Sequence, residues 1–219
     1  MRSRKPLKTS ELVIGLFALC AATTAAGALP RKMPPLDDCA RDPSFVEFRK
    51  ALTDAAKRED GKALVAMFAP DPERPRAGVP ERPAESDPSD IMPQEDLIIL
   101  QTILRMGCKR VGAVRVMPSV SVELDRYSAK NLKGKVLVLA GAKLFGVPYE
   151  EKSVSASLAW DIATAVGTGG DFWTRIRLAD GREGWVADDR IYWIDPSCRH
   201  EITFEKRLGK WMITGFGLR

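Results

Sequence analysis

Histidine is nearly absent from this chain: His200 is the only one among 219 residues. Cysteine is scarce too, with four in all, and no pair stands at the Cys-x-x-Cys spacing used by redox and zinc sites. Cys198 and His200, two apart, would share one face of a strand. A Cys–His nucleophile also needs a third group to orient it, and a metal site needs further ligands; neither is indicated. Asp188 and Asp189 are adjacent, so they point apart rather than facing one bond as glycosidase carboxylates do. Long apolar runs are missing as well. The stretch Leu12–Ala22 is too short to span a bilayer comfortably.

An excess of one charge is the last thing lacking. The formal net charge is +5, but residues 1–28 carry Arg2, Arg4, Lys5 and Lys8 against Glu11 and supply +3 of it. What remains is close to neutral, which removes the electrostatic case for nucleic acid. Those first 28 residues have the layout of a signal peptide: a basic start, an apolar middle, and the small-x-small triplet Ala26-Gly27-Ala28. An uncleaved anchor is the alternative. A lipid-bearing Cys20 fits poorly, because Leu19 precedes it where a small residue is usual. The expectation is a periplasmic or secreted protein that is not an integral membrane protein once the signal is removed. Export permits oxidation, and Cys39–Cys108 is the expected disulfide, stapling the leading segment to the end of a later helix. Free buried thiols remain the alternative.

Residues 29–133 read as a mainly helical region. Asp42-Pro43-Ser44 opens a helix with Phe45, Phe48, Leu52 and Ala55–Ala56 on one face, and Lys62–Ala69 gives a second. Residues 70–93 hold seven prolines and many charges, the composition of an exposed loop. Pro93-Gln94-Glu95-Asp96 then starts a helix, with Leu97, Leu100, Ile103 and Leu104 as its packed face and Gly107 as its stop. Val111–Val122 looks strand-like, interrupted by Pro118.

Short strands with turn signals about every ten residues follow over 134–195. Within "RIRLADGREGWVADDRI", residues 175–191, alternation puts Trp173, Arg175 and Arg177 on one face and Thr174, Ile176 and Leu178 on the other. Asp180-Gly181 marks a hairpin turn, expected as type I′ with positive φ at both residues. Gly184 is expected to let Trp185 pack against the strand holding Trp160. A glycine phosphate cradle is excluded, because strand rather than helix follows. Residues 196–219 form a last hairpin, His200–Arg207 and Lys210–Leu218 about a Leu208-Gly209 turn.

Residues 141–194 resemble a bacterial SH3 (SH3b) domain. The resemblance is carried by Lys143-Leu144-Phe145 with Pro148, by Leu158-Ala159-Trp160, and by "GGDFWTRIRLADGREGWVADDRI", Gly169–Ile191. Phe145 departs from the family, which often has arginine there. The helices and final hairpin are faintly similar to NTF2-like domains. The fold expected is therefore α+β: an N-terminal helical part, a small SH3-like β-barrel over 134–195, and a closing hairpin. The resemblance implies a non-catalytic module without cofactor or metal, binding a peptide or cell-envelope component. Trp160, Trp185 and Tyr192 are the expected ligand contacts. The alternatives are a structural assembly domain and an NTF2-like enzyme.

Overall fold

The computed structural model describes residues 28–70, 94–170 and 172–218. Residues 1–27 of the expected signal peptide, 1–28, and residues 71–93 of the segment expected as an exposed loop, 70–93, lie outside the described residues.

Helix α1, Pro43–Lys57, begins where the sequence places it. The Asp42 carboxylate accepts from the Phe45 amide, and Pro43 occupies the first turn. Phe45, Leu52, Ala55 and Ala56 are buried, the face the apolar spacing predicts. Helix α2, Gly61–Ala66, is capped in the same way by Asp60. Helix α3 runs over Gln94–Ile103 and buries Leu97, Leu100 and Ile103.

Strands β1 (Lys109–Val111) and β2 (Val114–Met117) form a hairpin. The reading of Val111–Val122 as strand holds only to Met117. After the cis Met117–Pro118 bond, Ser119–Leu124 is helix α4, because Val120 and Leu124, four apart, both reach the core. A one-turn helix, α5, covers Ala129–Leu132.

Seven strands follow: β3 (Lys135–Val138), β4 (Ala142–Phe145), β5 (Val154–Leu158), β6 (Ile162–Thr168), β7 (Trp173–Leu178), β8 (Glu183–Ala187) and β9 (Ile191–Trp193). Strand β5 has serine at two of its five positions, Val-Ser-Ala-Ser-Leu. The antiparallel order is β5-β4-β8-β7-β6-β3-β9. The expected closed barrel is not formed: no pairing among the described residues joins β5 to β9, and β4 meets β8 at the single register pair Phe145–Trp185. One face nevertheless buries its own core of Val136, Val138, Leu144, Ile176, Val186 and Ile191, so the sheet supplies its own cover there.

The last two strands, β10 (His200–Arg207) and β11 (Lys210–Leu218), match the expected hairpin, but they do not stand apart. β10 pairs with β2, giving a four-stranded sheet β1-β2-β10-β11. Phe45 fits edge-on against Phe204 (5.3 Å) and Trp211 (5.0 Å), which seats α1 on this sheet. Arg115 is buried beneath α1, over the Trp211 ring at 5.0 Å and 3.2 Å from Asp42. No described helix is long and apolar enough to cross a membrane.

Strand β3 joins the two halves. Its run Val136-Leu137-Val138-Leu139 is buried throughout, with Val136 and Val138 in the seven-stranded sheet's own core and Leu137 and Leu139 in the helical one. A continuous apolar strand is the signature of burial on both faces.

Candidate functional site: an aromatic strip on the outer face

The structure separates the three aromatic residues expected to bind ligand. Tyr192, on β9, is only 6% exposed and belongs to the helical core. Its hydroxyl donates to the His200 carbonyl and lies 3.4 Å from Ser121 Oγ. Burial pushes its phenol well above the ordinary value. Trp160 packs on the same core, with positive φ (61°) and its backbone tied to Val138 and Met33. Trp185 lies apart from both, half-buried on β8.

The expected role of Gly184 also changes. A Cβ there would stand 2.7 Å from Leu144 Cδ1 and from the Phe145 carbonyl oxygen, so the glycine admits β4 rather than the Trp185 ring. That ring lies over Gly169, whose Cβ would be 2.1 Å from it. Trp185 therefore packs on the β6–β7 turn, not on the strand holding Trp160. The Asp180-Gly181 turn forms in place, but only Gly181 has positive φ (88°). Leu178 and Arg182 pair across Ala179-Asp180-Gly181, which makes a three-residue loop instead of type I′.

What the fold does bring together is a strip at the β4–β5 end of the sheet. The Phe145 and Trp173 rings stand 5.1 Å apart and perpendicular, and Tyr149 meets Trp173 at 5.1 Å and 67°. Such edge-to-face geometry is favourable beyond the area it buries. Yet Tyr149 is 69% exposed, and neighbouring Phe172 is 77% exposed. Both take positive φ (64° and 73°), a region that bulky side chains seldom adopt.

The surroundings of the strip are fixed by hydrogen bonds and charge. The Asp188 amide donates to the Phe172 carbonyl, and Thr174 Oγ1 donates to Asp188 at 2.6 Å. This pins the short 3-10 turn Asp188–Arg190 beside Trp173. Glu183, further along the outer face, pairs with Arg175 (3.0 Å) and Arg177 (2.5 Å). Those cations hold its carboxyl below the usual range, the Arg177 hydrogen bond foremost. Exposed Glu150 and Glu151 follow Tyr149.

Sequence reading missed Phe145, Tyr149 and Trp173 as a group. A signal was present: alternation already set Trp173 with Arg175 and Arg177 on one face, which the structure leaves outward. The loop bringing Tyr149 to that ring leaves no periodic trace.

The other candidates are differently placed. His200 Nδ1 lies 3.1 Å from the Cys198 carbonyl, while the Cys198 thiol is exposed beside Ser197 Oγ. Among the described residues, no three His, Cys, Asp or Glu side chains are grouped to hold a metal. A shallow cleft includes Arg31, Asp161, Asp180 and Arg182, but Asp180 is already paired with Arg182 and Asp161 with Lys32. The helical face of the four-stranded sheet, where an NTF2-like cavity would lie, is occupied by Phe45, Phe204, Trp211 and Ile213. Cys39 and Cys108 form the expected disulfide.

Burial also holds the His200 imidazole below its ordinary value of 6.5, against smaller opposing effects of the Cys198 carbonyl and Asp96. A depressed folded-state pKa means that the unfolded chain takes up the proton first. The stability contributed by neutral His200 is therefore complete above about pH 6.5 and is lost as pH falls through the folded value. Chemical denaturation between pH 8 and pH 5 should show stability falling with acid, and His200→Gln should flatten that slope. Equal slopes would remove His200 as the source.

Compared with known proteins, the chain matches no family model, no curated protein and no solved structure.

Proposed function

We propose that this is an exported, non-catalytic binding protein, periplasmic or secreted, whose residues 134–195 form an SH3b-like unit that holds an extended peptide or cell-envelope polymer. The aromatic strip of Phe145, Tyr149 and Trp173, with exposed Phe172 next to Trp173 in the chain, is the contact surface. The observation that carries this reading is the exposure of Tyr149 and Phe172 at positive φ beside a Trp173 ring already flanked by Phe145 and Tyr149. The strand arrangement supports the SH3b-like reading: β6, β7 and β8 form a meander, a short 3-10 turn follows, and β9 returns to pair with β3. The Cys39–Cys108 disulfide is compatible with export.

Flat apolar rings among a few polar groups suit a chain-like ligand that lies across them, because stacking contacts accumulate along its length. Purified peptidoglycan sacculi and an array of extended peptides are the probes. The protein should be retained on at least one of them, and Tyr149→Ala and Trp173→Ala should each weaken retention about tenfold or more, the equivalent of 1.4 kcal/mol. Because Tyr149 is mostly exposed, its replacement should leave thermal unfolding within about 0.5 kcal/mol of wild type. No retention on either probe rejects the binding reading. Undiminished retention by both variants rejects the strip.

A further inference from the structure

The four-stranded sheet carries one sequence pattern at both of its turns. Residues 109–112 read Lys-Arg-Val-Gly, and residues 206–209 read Lys-Arg-Leu-Gly. Strand β10 lies beside β2 with Phe204 opposite Arg115, which sets the β1–β2 and β10–β11 turns at the same end of the sheet. Val111 is 46% exposed there, and Leu208 is completely exposed. Neither Lys109–Arg115 nor Lys206–Lys210 contains an acidic residue.

A single exposed leucine needs no explanation. At this turn, however, two local preferences are broken together. Leu208 and Gly209 both have positive φ (49° and 80°), the type I′ arrangement in which asparagine, aspartate or glycine is favoured at the first position. The pair that closes the turn, Arg207 and Lys210, sets like charges directly opposite each other, an arrangement that costs stability. Some of the nearby cations have partners in the fold: Lys109 meets Asp38 and Glu123, and Arg207 meets Glu205 at 3.5 Å. Arg110 and Lys210 stand exposed beside the two aliphatic tips.

We propose that this end of the sheet docks on an anionic phospholipid bilayer, with Leu208 and Val111 entering the boundary between headgroups and acyl chains. Arg110, Arg207 and Lys210 meet the lipid phosphates. Charge argues against a second copy as the occupant, because two such ends would set cations against cations. The aliphatic tips favour a bilayer over a soluble acidic polymer, which offers no apolar layer to receive them. A few cations and two aliphatic side chains give reversible, peripheral attachment without spanning the membrane. Docking here is independent of the aromatic strip, which belongs to the other sheet.

Co-sedimentation of the full chain with equimolar phosphatidylglycerol–phosphatidylcholine vesicles, compared with phosphatidylcholine alone, provides the test. Every protein carries Leu16→Asp and Leu19→Asp, so that the apolar stretch Leu12–Ala22 does not itself hold lipid. The chain should bind the anionic vesicles, bind phosphatidylcholine about tenfold more weakly, and lose anionic binding as salt rises. Arg110→Gln and Lys210→Gln should each weaken binding about fivefold, the usual weight of one basic residue at such a surface. Leu208→Asn should weaken it about tenfold. Asparagine suits the positive φ, so thermal unfolding of that variant should be unchanged or raised, which separates lost docking from lost fold. Leu208→Met, still apolar, should retain binding. Absence of binding to the anionic vesicles overturns the proposal, as does binding indifferent to Leu208→Asn. Tyr149→Ala should leave vesicle binding unchanged; its loss would put the lipid contact on the aromatic strip and overturn the proposal as well.

Discussion

Replacing Cys39 and Cys108 together by serine is expected to lower the unfolding free energy by roughly 4 kcal/mol, the chain-entropy figure for a loop of this size. The two cysteines are 69 residues apart, and the bond joins the 3-10 turn Asp38–Arg41 to the start of β1. Most of the effect should come from the unfolded chain. In the folded state the same segments are already held by backbone hydrogen bonds, from the Asp38 amide to the Cys108 carbonyl and from the Cys108 amide to the Leu36 carbonyl. Both cysteines are essentially inaccessible, at 1% and 0% exposure, so the bond should resist mild reductant until the protein opens. Denaturant titration should be run on the Cys198→Ser background, because Cys198 is an exposed free thiol able to exchange. A midpoint unmoved by the double substitution would mean that the bridge contributes nothing to stability.

Phe45→Ala should cost about 3–5 kcal/mol, the range for emptying a fully buried phenylalanine site. Phe45 is 0% exposed and lies between Phe204 and Trp211 from the sheet and Phe48 from its own helix. Its loss leaves a cavity that rigid rings on three sides cannot fill. The site also adjoins buried Arg115, which lies over Trp211 and reaches Asp42 at the start of α1. A shift of that helix would disturb an ion pair whose cation has little access to water, adding to the penalty. Phe45→Leu, which keeps most of the volume, should cost clearly less. Thermal or denaturant unfolding of both variants provides the comparison, and equal costs would show that aromatic packing contributes little there. Phe45→Ala should leave the aromatic strip intact, since the strip lies on the other sheet.

Local physics made much of the architecture legible. Asp42 announces a helix start because its side chain satisfies a backbone amide that no helical partner reaches; Asp60 does the same for α2, whose start the apolar spacing placed at Lys62. Alternation in Trp173–Leu178 gave the two faces of β7 correctly, since side chains on a strand must alternate. The Leu208-Gly209 turn fixed β10 and β11. The end of the Val111–Val122 reading misled because Val120, Val122 and Leu124 alternate like a strand while Val120 and Leu124 also share one helix face, and tertiary packing chooses between them.

Whatever depended on residues distant in the chain had to wait for the tertiary structure. The final hairpin reads as an appendage, yet β10 completes a sheet with β2, some 90 positions earlier; hydrogen-bond donors on a strand edge do not name their partner. Trp160, Trp185 and Tyr192 look equivalent in sequence, but β3 and β9 carry one apolar surface into the helical core, and Tyr192 goes with it. Tyr149 looks like an ordinary loop residue until the β4–β5 connection lays its ring on Trp173. The sequence by itself determined where most of the helices and the two hairpins begin and which faces they bury, and it favoured the cysteine pair that the structure bonds. The fold alone decided which aromatic rings are sealed and which face outward, because that depends on which surfaces meet.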